Sequence, residues 1–300
     1  MQLWTPSKTV NLKNILLTGA SGFVGQNYQQ KSVNMDQVTT LSLRQKAVDD
    51  ISWTGIDTVL HFAGLAHQMD GAPDENYFAI NFELTKKLAI AAKKNEVKQF
   101  LFLSTIKVYG ECSDGAIYTE TSPCIPTDAY GQSKLDAEDY LRSIASDSFV
   151  VTIVRPPLIF GPGVKGNLDK IIKLCDSGWW LPLGSIYNER TMVSVTNLIH
   201  FLDKLCGEKR DGTFVISEKD YVSTTSLVTY IRAALGRKKR VFSLPTPFRY
   251  FIRKLKPSFY IRLFGSLRID SSASVQSCNF EHTASIESAI KEMINAYKHK

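Results

Sequence analysis

The sequence predicts an α/β fold, a doubly wound parallel sheet followed by a smaller C-terminal lobe. Three observations predict it. Short apolar runs alternate with stretches of helical periodicity through the first half of the 300-residue chain. A glycine turn follows the first apolar run directly, within Lys13 to Gln26. The alternation then loosens after Pro156-Pro157.

The elements follow in order. Ile15, Leu16 and Leu17 form a continuous apolar run, as a strand buried on both faces requires. Gly19, Gly22 and Gly25 come next, and Phe23 and Val24 enter a helix. Glycines let backbone N–H groups approach a pyrophosphate, and a helix N-terminus favours its charge. Val38–Leu43 and Thr58–Phe62 read as the next strands. The segment between them is too short for a helical crossover, so a trimmed or irregular connection is expected. Asn76–Lys94 reads as one helix, with Phe78, Phe82, Leu84, Leu88 and Ala91 on one face. Gln99–Ser104 is a strand, Tyr130–Ala145 a helix and Phe149–Val154 a strand. Beyond them, 168–175, 223–235 and 285–297 look helical, with short strands at 213–216 and 240–243. Residues 1–160 are read mainly as a dinucleotide-binding core. Residues 161–300 are read mainly as a substrate-binding lobe with elements returning to that core.

Composition narrows the function classes. At 44% apolar residues the chain can bury a sizeable core, and no apolar run is long enough for a transmembrane helix. Residues 1–8 lack the apolar segment of a signal peptide. Five cysteines, at 112, 124, 175, 206 and 278, contain no C-x-x-C. They read as free thiols in a reducing cytoplasm, and with no cluster at metal-ligand spacing no metal is expected. The net charge is +7, yet 221–268 holds 11 Lys and Arg and no Asp or Glu, leaving the rest at −4. Nucleic-acid binding has no supporting module.

Tyr130-Gly-Gln-Ser-Lys134 opens the third helical stretch. Positions i and i+4 share a helical face, so a phenol and an ammonium approach one site, and a nearby cation lowers a phenol's pKa. Thr105 ends the preceding strand, at the edge of a parallel sheet where ligands bind. His61-Phe62-Ala63-Gly64 ends another strand; Ala63 and Gly64 leave room for a flat ring, and His61 reads as a satisfied core histidine.

Taken with the glycine turn, Thr105, Tyr130 and Lys134 resemble the extended short-chain dehydrogenase/reductase family, in its NAD-dependent epimerase/dehydratase branch. The likeness extends through Asn81, Arg155 to Pro162 and the Arg190 to Leu198 segment. It implies a Rossmann-type fold, Tyr130 as catalytic acid/base, Lys134 on the nicotinamide ribose and Thr105 on the reacting oxygen. It further implies cofactor contacts from Gly19, Gly22, Phe23, Val24, Gly25, Phe62, Ala63, Gly64 and Pro157, and from an adenine-contacting pair, Asp50 and Ile51. Dehydratases of the family follow the Thr with Asp-Glu; here Ile106 and Lys107 follow, which argues against dehydration. Ser104 to Glu111, Phe160 to Asn167 and Leu181 to Gly184 are similar to a bacterial subgroup of UDP-sugar 4-epimerases and UDP-4-keto-6-deoxy-N-acetylhexosamine 4-reductases. In that subgroup the positions of Lys107, Asn167 and Arg190 line the sugar-nucleotide site.

Ser42 takes the place where an acid would select NAD, and Arg44 suits a 2′-phosphate, so NADP(H) is expected over NAD(H). With that cofactor a 4-keto-sugar reductase is the leading expectation, a 4-epimerase the alternative and a non-catalytic dinucleotide-binding regulator a remote one. A UDP-sugar substrate and a homodimer are expected. The basic segment carries Phe248, Phe251, Ile252 and Leu255, then Tyr260, Leu263, Phe264 and Leu267, at helical spacing around Pro257. Their apolar faces either close the smaller lobe or, with the surplus cations, hold an otherwise cytoplasmic protein weakly against an anionic membrane.

Overall fold

The computed structural model describes residues 14–66, 72–113 and 115–299. Residues 1–8 and Lys13, which the sequence reading used, lie outside them.

A six-stranded parallel sheet forms the centre, in the order β2-β1-β3-β4-β5-β9. Its strands are β1 (Ile15–Thr18), β2 (Val38–Leu41), β3 (Thr58–His61), β4 (Gln99–Leu103), β5 (Val150–Arg155) and β9 (Gly212–Val215). The apolar runs are continuous because both faces are covered. Ile15 and Leu17 enter one core with Leu60, Leu101, Leu103 and Val154. Leu16 enters the other with Val59, Phe100, Phe102, Val151 and Ile153. Burying each such side chain contributes about 1.5–3 kcal/mol.

Helices α1 (Phe23–Lys31) and α6 (Val195–Glu208) pack on the first face, the latter through Leu198, Phe201, Leu202 and Leu205. Helices α3 (Leu84–Lys94) and α4 (Ala129–Ile144) pack on the second, through Leu88, Ala89, Ala92, Ala137 and Leu141. The sequence reading passed over α6, although its apolar spacing and its N-cap Ser194, which accepts from Asn197 N, mark a helix.

The link from β2 to β3 has no helix, only a short 3-10 turn at Val48–Asp50, as the spacing predicted. The single helix expected over 76–94 is broken. A four-residue α2 (Asp74–Tyr77) runs into a π-helical segment, Phe78–Glu83, before α3. The extra residue per turn rotates the buried face onto Tyr77, Asn81, Thr85, Leu88 and Ala92, so Phe78 and Phe82 are only partly buried.

The C-terminal part builds a third core. It comprises β6 (Leu158–Phe160), α5 (Asn167–Asp176), β7 (Leu181–Gly184), β8 (Met192–Ser194), α7 (Thr224–Leu235), β10 (Val241–Ser243), α8 (Thr246–Leu255), α9 (Pro257–Phe264), α10 (Ser272–Ser277) and α11 (Ile286–Lys298). Phe160, Leu168, Ile172, Leu181, Val228, Ile231, Ile290 and Met293 interlock there. Two short pairings, β6 with β8 and β7 with β10, support it.

Candidate active site

The glycine turn sits where the strand order reverses, since β1 lies between β2 and β3. Gly19 has φ +78°, and a Cβ there would stand 2.4 Å from Ala63 N. At Gly25 a Cβ would stand 2.3 Å from Gly19 O. The first brings the turn against the end of β3; the second brings α1 against the turn. Gly22 caps α1 with no side chain on the helix N–H groups and no acid in the first turn. Phe23 and Val24 pack inward and fix this entry. The result is a row of backbone donors suited to a diphosphate.

Beside it, His61 is buried between Thr18 Oγ1 at 2.7 Å and Thr85 Oγ1 at 2.9 Å. Thr85 donates its own proton to Asn81 O, so Nε2–H of His61 donates to Thr85 and Nδ1 accepts from Thr18. Burial, then the Lys134 charge, push its pKa down to about 3, so the ring is neutral. This is the satisfied core histidine read from the sequence. Asn81 Oδ1 accepts from Leu65 N at 2.7 Å while its Nδ2 donates to Leu65 O and to Ser133 Oγ. The π-helical turn thereby ties the chain after β3 to α4.

Helix α4 begins at Asp128, whose Oδ1 accepts from Gly131 N at 2.7 Å and whose Oδ2 accepts from Lys107 Nζ at 2.5 Å. A Cβ on Gly131 would stand 2.9 Å from Lys107 O, so a glycine between Tyr130 and Lys134 lets the Ile106–Tyr109 turn approach the helix. Thr105 caps that turn by accepting from Lys107 N, and its hydroxyl bonds the Tyr130 phenol. Lys134 is buried: its Nζ donates to Leu103 O at 3.0 Å and lies 4.5 Å from the centre of the Phe102 ring. Gly64 lies above it, where a Cβ would meet Asn81 Oδ1 at 3.0 Å and Lys134 Nζ at 3.2 Å. Thr105, Tyr130 and Lys134 therefore converge at the carboxyl ends of β3 and β4.

The electrostatics differ from the sequence expectation. Burial holds the Tyr130 pKa up at about 12, and the relief comes from the Thr105 hydroxyl, not from Lys134. Burial pushes Lys134 down to about 8, against the pull of Glu138. The ammonium is turned to the Leu103 carbonyl, so desolvation outweighs its help to the phenol.

A buried ion pair anchors this helix, and the sequence reading missed it. Arg155 Nε donates to both Glu138 oxygens at 3.0 and 3.1 Å; Arg142 donates to the same carboxylate and Arg155 donates to Tyr109 OH at 2.7 Å. Glu138 lies one turn beyond Lys134 and Arg142 one turn further, a spacing that could have revealed the Glu138–Arg142 part of it but not Arg155.

The remaining candidates divide. Pro157 is buried behind β5, and Pro156 O accepts from Ile106 N. Ile51 is buried in the core, while Asp50 beside it is exposed. Ser42 and Arg44 are exposed past β2, and Arg44 has no ion-pair partner among the described residues. Lys107 is held by Glu111 at 2.6 Å as well as by Asp128. Arg190 is half-buried, its Nη1 3.4 Å from Gly265 O, while neighbouring Glu189 pairs with Arg268 instead. Arg262 of α9, read from the sequence only as one of the 11 cations of the basic segment, pairs with Glu111 at 3.5 Å. Lys107, Arg190 and Arg262 thus share the surroundings of Glu111. Asn167 is exposed in the first turn of α5. No cluster of three metal-ligating side chains occurs among the described residues, and none of the five cysteines is in a disulfide.

Residues 15–216 match the model of the NAD dependent epimerase/dehydratase family. The chain belongs to that family. It is 31% identical over 315 aligned positions to a UDP-glucose 4-epimerase of Vibrio cholerae, covering 95% of each protein. It is 30% identical to an N-acetyl-alpha-D-glucosaminyl-diphospho-ditrans,octacis-undecaprenol 4-epimerase of Escherichia coli O157:H7, covering 78% of this chain and 76% of that one. The fold matches a UDP-glucuronic acid 4-epimerase of Bacillus cereus, solved with NAD, at a TM-score of 0.76 and 17% identity, over 95% and 99% of the two chains. This epimerase/dehydratase family member has a Rossmann-type short-chain dehydrogenase/reductase fold. The glycine turn, the lack of a side chain at Gly64 beside Lys134 and the donor on Lys134 fit a dinucleotide.

Proposed function

We propose that this enzyme carries out redox chemistry at C4 of a UDP-hexose or UDP-N-acetylhexosamine, as a 4-epimerase. The observation that carries the reading is the convergence of Thr105, Tyr130 and Lys134 beside the glycine turn, with Lys107, Arg190 and Arg262 gathered around Glu111. Bound NAD(P) would supply hydride transfer at C4. Tyr130 moves the proton at O4, and Thr105 orients that oxygen and the phenol together. Lys134 donates to the ribose side from a site where it is pinned by Leu103 O. Arg190 and Arg262 hold a diphosphate, which suits the guanidinium fork. The names of the Vibrio cholerae and Escherichia coli relatives support 4-epimerisation and share a sugar diphosphate as the recognised group.

A second reading, a 4-keto-sugar reductase using NADP(H), rests on exposed Ser42 and Arg44 and on a phenol held protonated at neutral pH, ready to donate to a keto oxygen. Incubation with UDP-glucose and with UDP-N-acetylglucosamine, no cofactor added, separates the two. Formation of the galacto epimers establishes the epimerase. NADPH oxidation only with a UDP-4-keto-6-deoxyhexosamine establishes the reductase. Turnover in neither assay overturns both.

A further inference from the structure

Helix α8 inverts the usual arrangement of an amphipathic helix. None of its residues is buried. Phe248, Phe251 and Leu255, the residues that its periodicity puts on one apolar face, are 62%, 64% and 67% exposed. The expectation that this face closes the lobe therefore fails for α8. Only α9 turns inward: Leu263 and Phe264 join the third core and Leu263 O accepts from Thr224 Oγ1.

More aromatic surface stands on the strand pair β7–β10, which precedes α8 in the chain. Trp179 and Trp180, at the entry to β7, are 76% and 62% exposed, and Phe242 on the paired strand β10 is exposed too. The buried Arg232 guanidinium gathers these loops, donating to Trp179 O, Lys238 O and Arg240 O. The two tryptophans are thus fastened beside exposed Lys238, Lys239 and Arg240. Exposed Arg253, Lys254 and Lys256 stand on or just after α8. Among the described residues none of these six cations has an ion pair.

We propose that this end of the C-terminal lobe docks on an anionic bilayer surface, independently of the reaction at the active site. Exposed Phe and Leu flanked by Lys and Arg lower their free energy by entering the headgroup region while the cations meet lipid phosphates. Tryptophan is the residue favoured at that depth. A second copy of this chain is the poorer occupant. The segment 221–268 has 11 cations and no acid, so a self-complementary contact brings like charge to like charge. A nucleic acid would use the cations but leave Phe248, Phe251 and Leu255 in water. Through Arg262 and Glu111, α9 joins the docked segment to the cation-rich side of the active site.

The test is co-sedimentation of the intact protein with phosphatidylcholine vesicles, with and without phosphatidylglycerol. Binding is expected only with phosphatidylglycerol and is expected to fall as salt rises. Lys254→Glu with Lys256→Glu should cut partitioning more than about tenfold, at about 1 kcal/mol per cation. Phe248→Ser with Phe251→Ser should cut it about as much, with circular dichroism and turnover unchanged. Four results overturn the proposal: equal binding to neutral vesicles, no binding to anionic ones, undiminished binding by both double variants, or a wild-type dimer that the double-Phe variant dissolves. A gel shift with RNA at physiological salt, absent vesicle binding, assigns the surface to nucleic acid and overturns it equally.

Discussion

Helices α4 and α8 are both amphipathic, and they spend their polar and apolar residues in opposite ways. Helix α4 buries polar groups: Ser133, Lys134 and Glu138 lie inside, each with a partner. Helix α8 exposes apolar ones and buries nothing. Burying an ammonium or carboxylate costs several kcal/mol unless it is paired, and exposing three large apolar side chains forgoes about as much burial. Neither arrangement is a solution to folding alone. On the proposed reading the first holds groups for chemistry and the second holds a surface for something outside the chain.

The comparison breaks most visibly at Tyr130. Tyr130→Phe should keep the fold and dinucleotide binding while turnover falls by about 10²–10⁴, the usual share of a general acid–base group. Near-normal turnover would reduce α4 to a structural helix. The next test lies one turn on. The folded pKa of Lys134, about 8, is below its ordinary value of 10.5. The folded state therefore binds fewer protons than the unfolded chain between those values, and stability rises with pH across that window. Below about pH 8 the full cost of burying the charge is present. Lys134→Met should accordingly abolish turnover yet stabilise the protein at pH 7 by about 1–3 kcal/mol, with the gap shrinking as pH climbs toward 10. Denaturant titrations of both proteins at several pH values read this directly. A destabilised variant at pH 7 would mean that the bond to Leu103 O outweighs desolvation.

What the sequence made legible follows the same division. Continuous runs such as Ile15–Leu17 signalled burial on both faces, and the glycine spacing signalled a turn after β1; that the turn presses on the end of β3 and on α1, as the Cβ distances at Gly19 and Gly25 show, was not in the spacing. The Tyr130–Lys134 pair was legible because helical spacing is fixed by geometry. The π-helical turn was not, since one extra residue in a turn leaves no compositional trace, and it moved Asn81 rather than Phe78 inward. Glu138–Arg155 joins residues 17 apart in the chain, and Lys107, Glu111 and Arg262 join a loop to a distant helix. Such pairs are set by the tertiary fold. The exposure of α8 was unreadable for the converse reason: periodicity reports that a face is apolar, not whether anything covers it.

Arg44 offers a smaller effect. It is exposed past β2, so any contact it makes with a 2′-phosphate would be screened by water. Arg44→Ala should narrow any preference for NADPH over NADH by about fivefold, worth about 1 kcal/mol. Fluorescence titration of both dinucleotides measures it. Stronger binding of NADH by the unmodified protein would remove the NADP(H) expectation and with it the main support for a reductase.

The smallest expected effect is the most discriminating for α8. Replacing a packed core Phe by a small residue costs about 3–5 kcal/mol, because transfer and cavity terms add. Phe251 is 64% exposed, and substitutions at such positions usually fall within about 0.5 kcal/mol. Phe251→Ser should therefore leave the unfolding midpoint in urea nearly unchanged, in dilute and in concentrated protein alike. The slope of the transition should also hold, since no face newly opens on unfolding. A loss above about 2 kcal/mol in dilute protein would mean that Phe251 is packed within the chain, as in the closed-lobe expectation. A loss that appears only as concentration rises would mean that a second copy covers it, because association stabilises by mass action. Only the flat result leaves the face open to a partner that is not this protein.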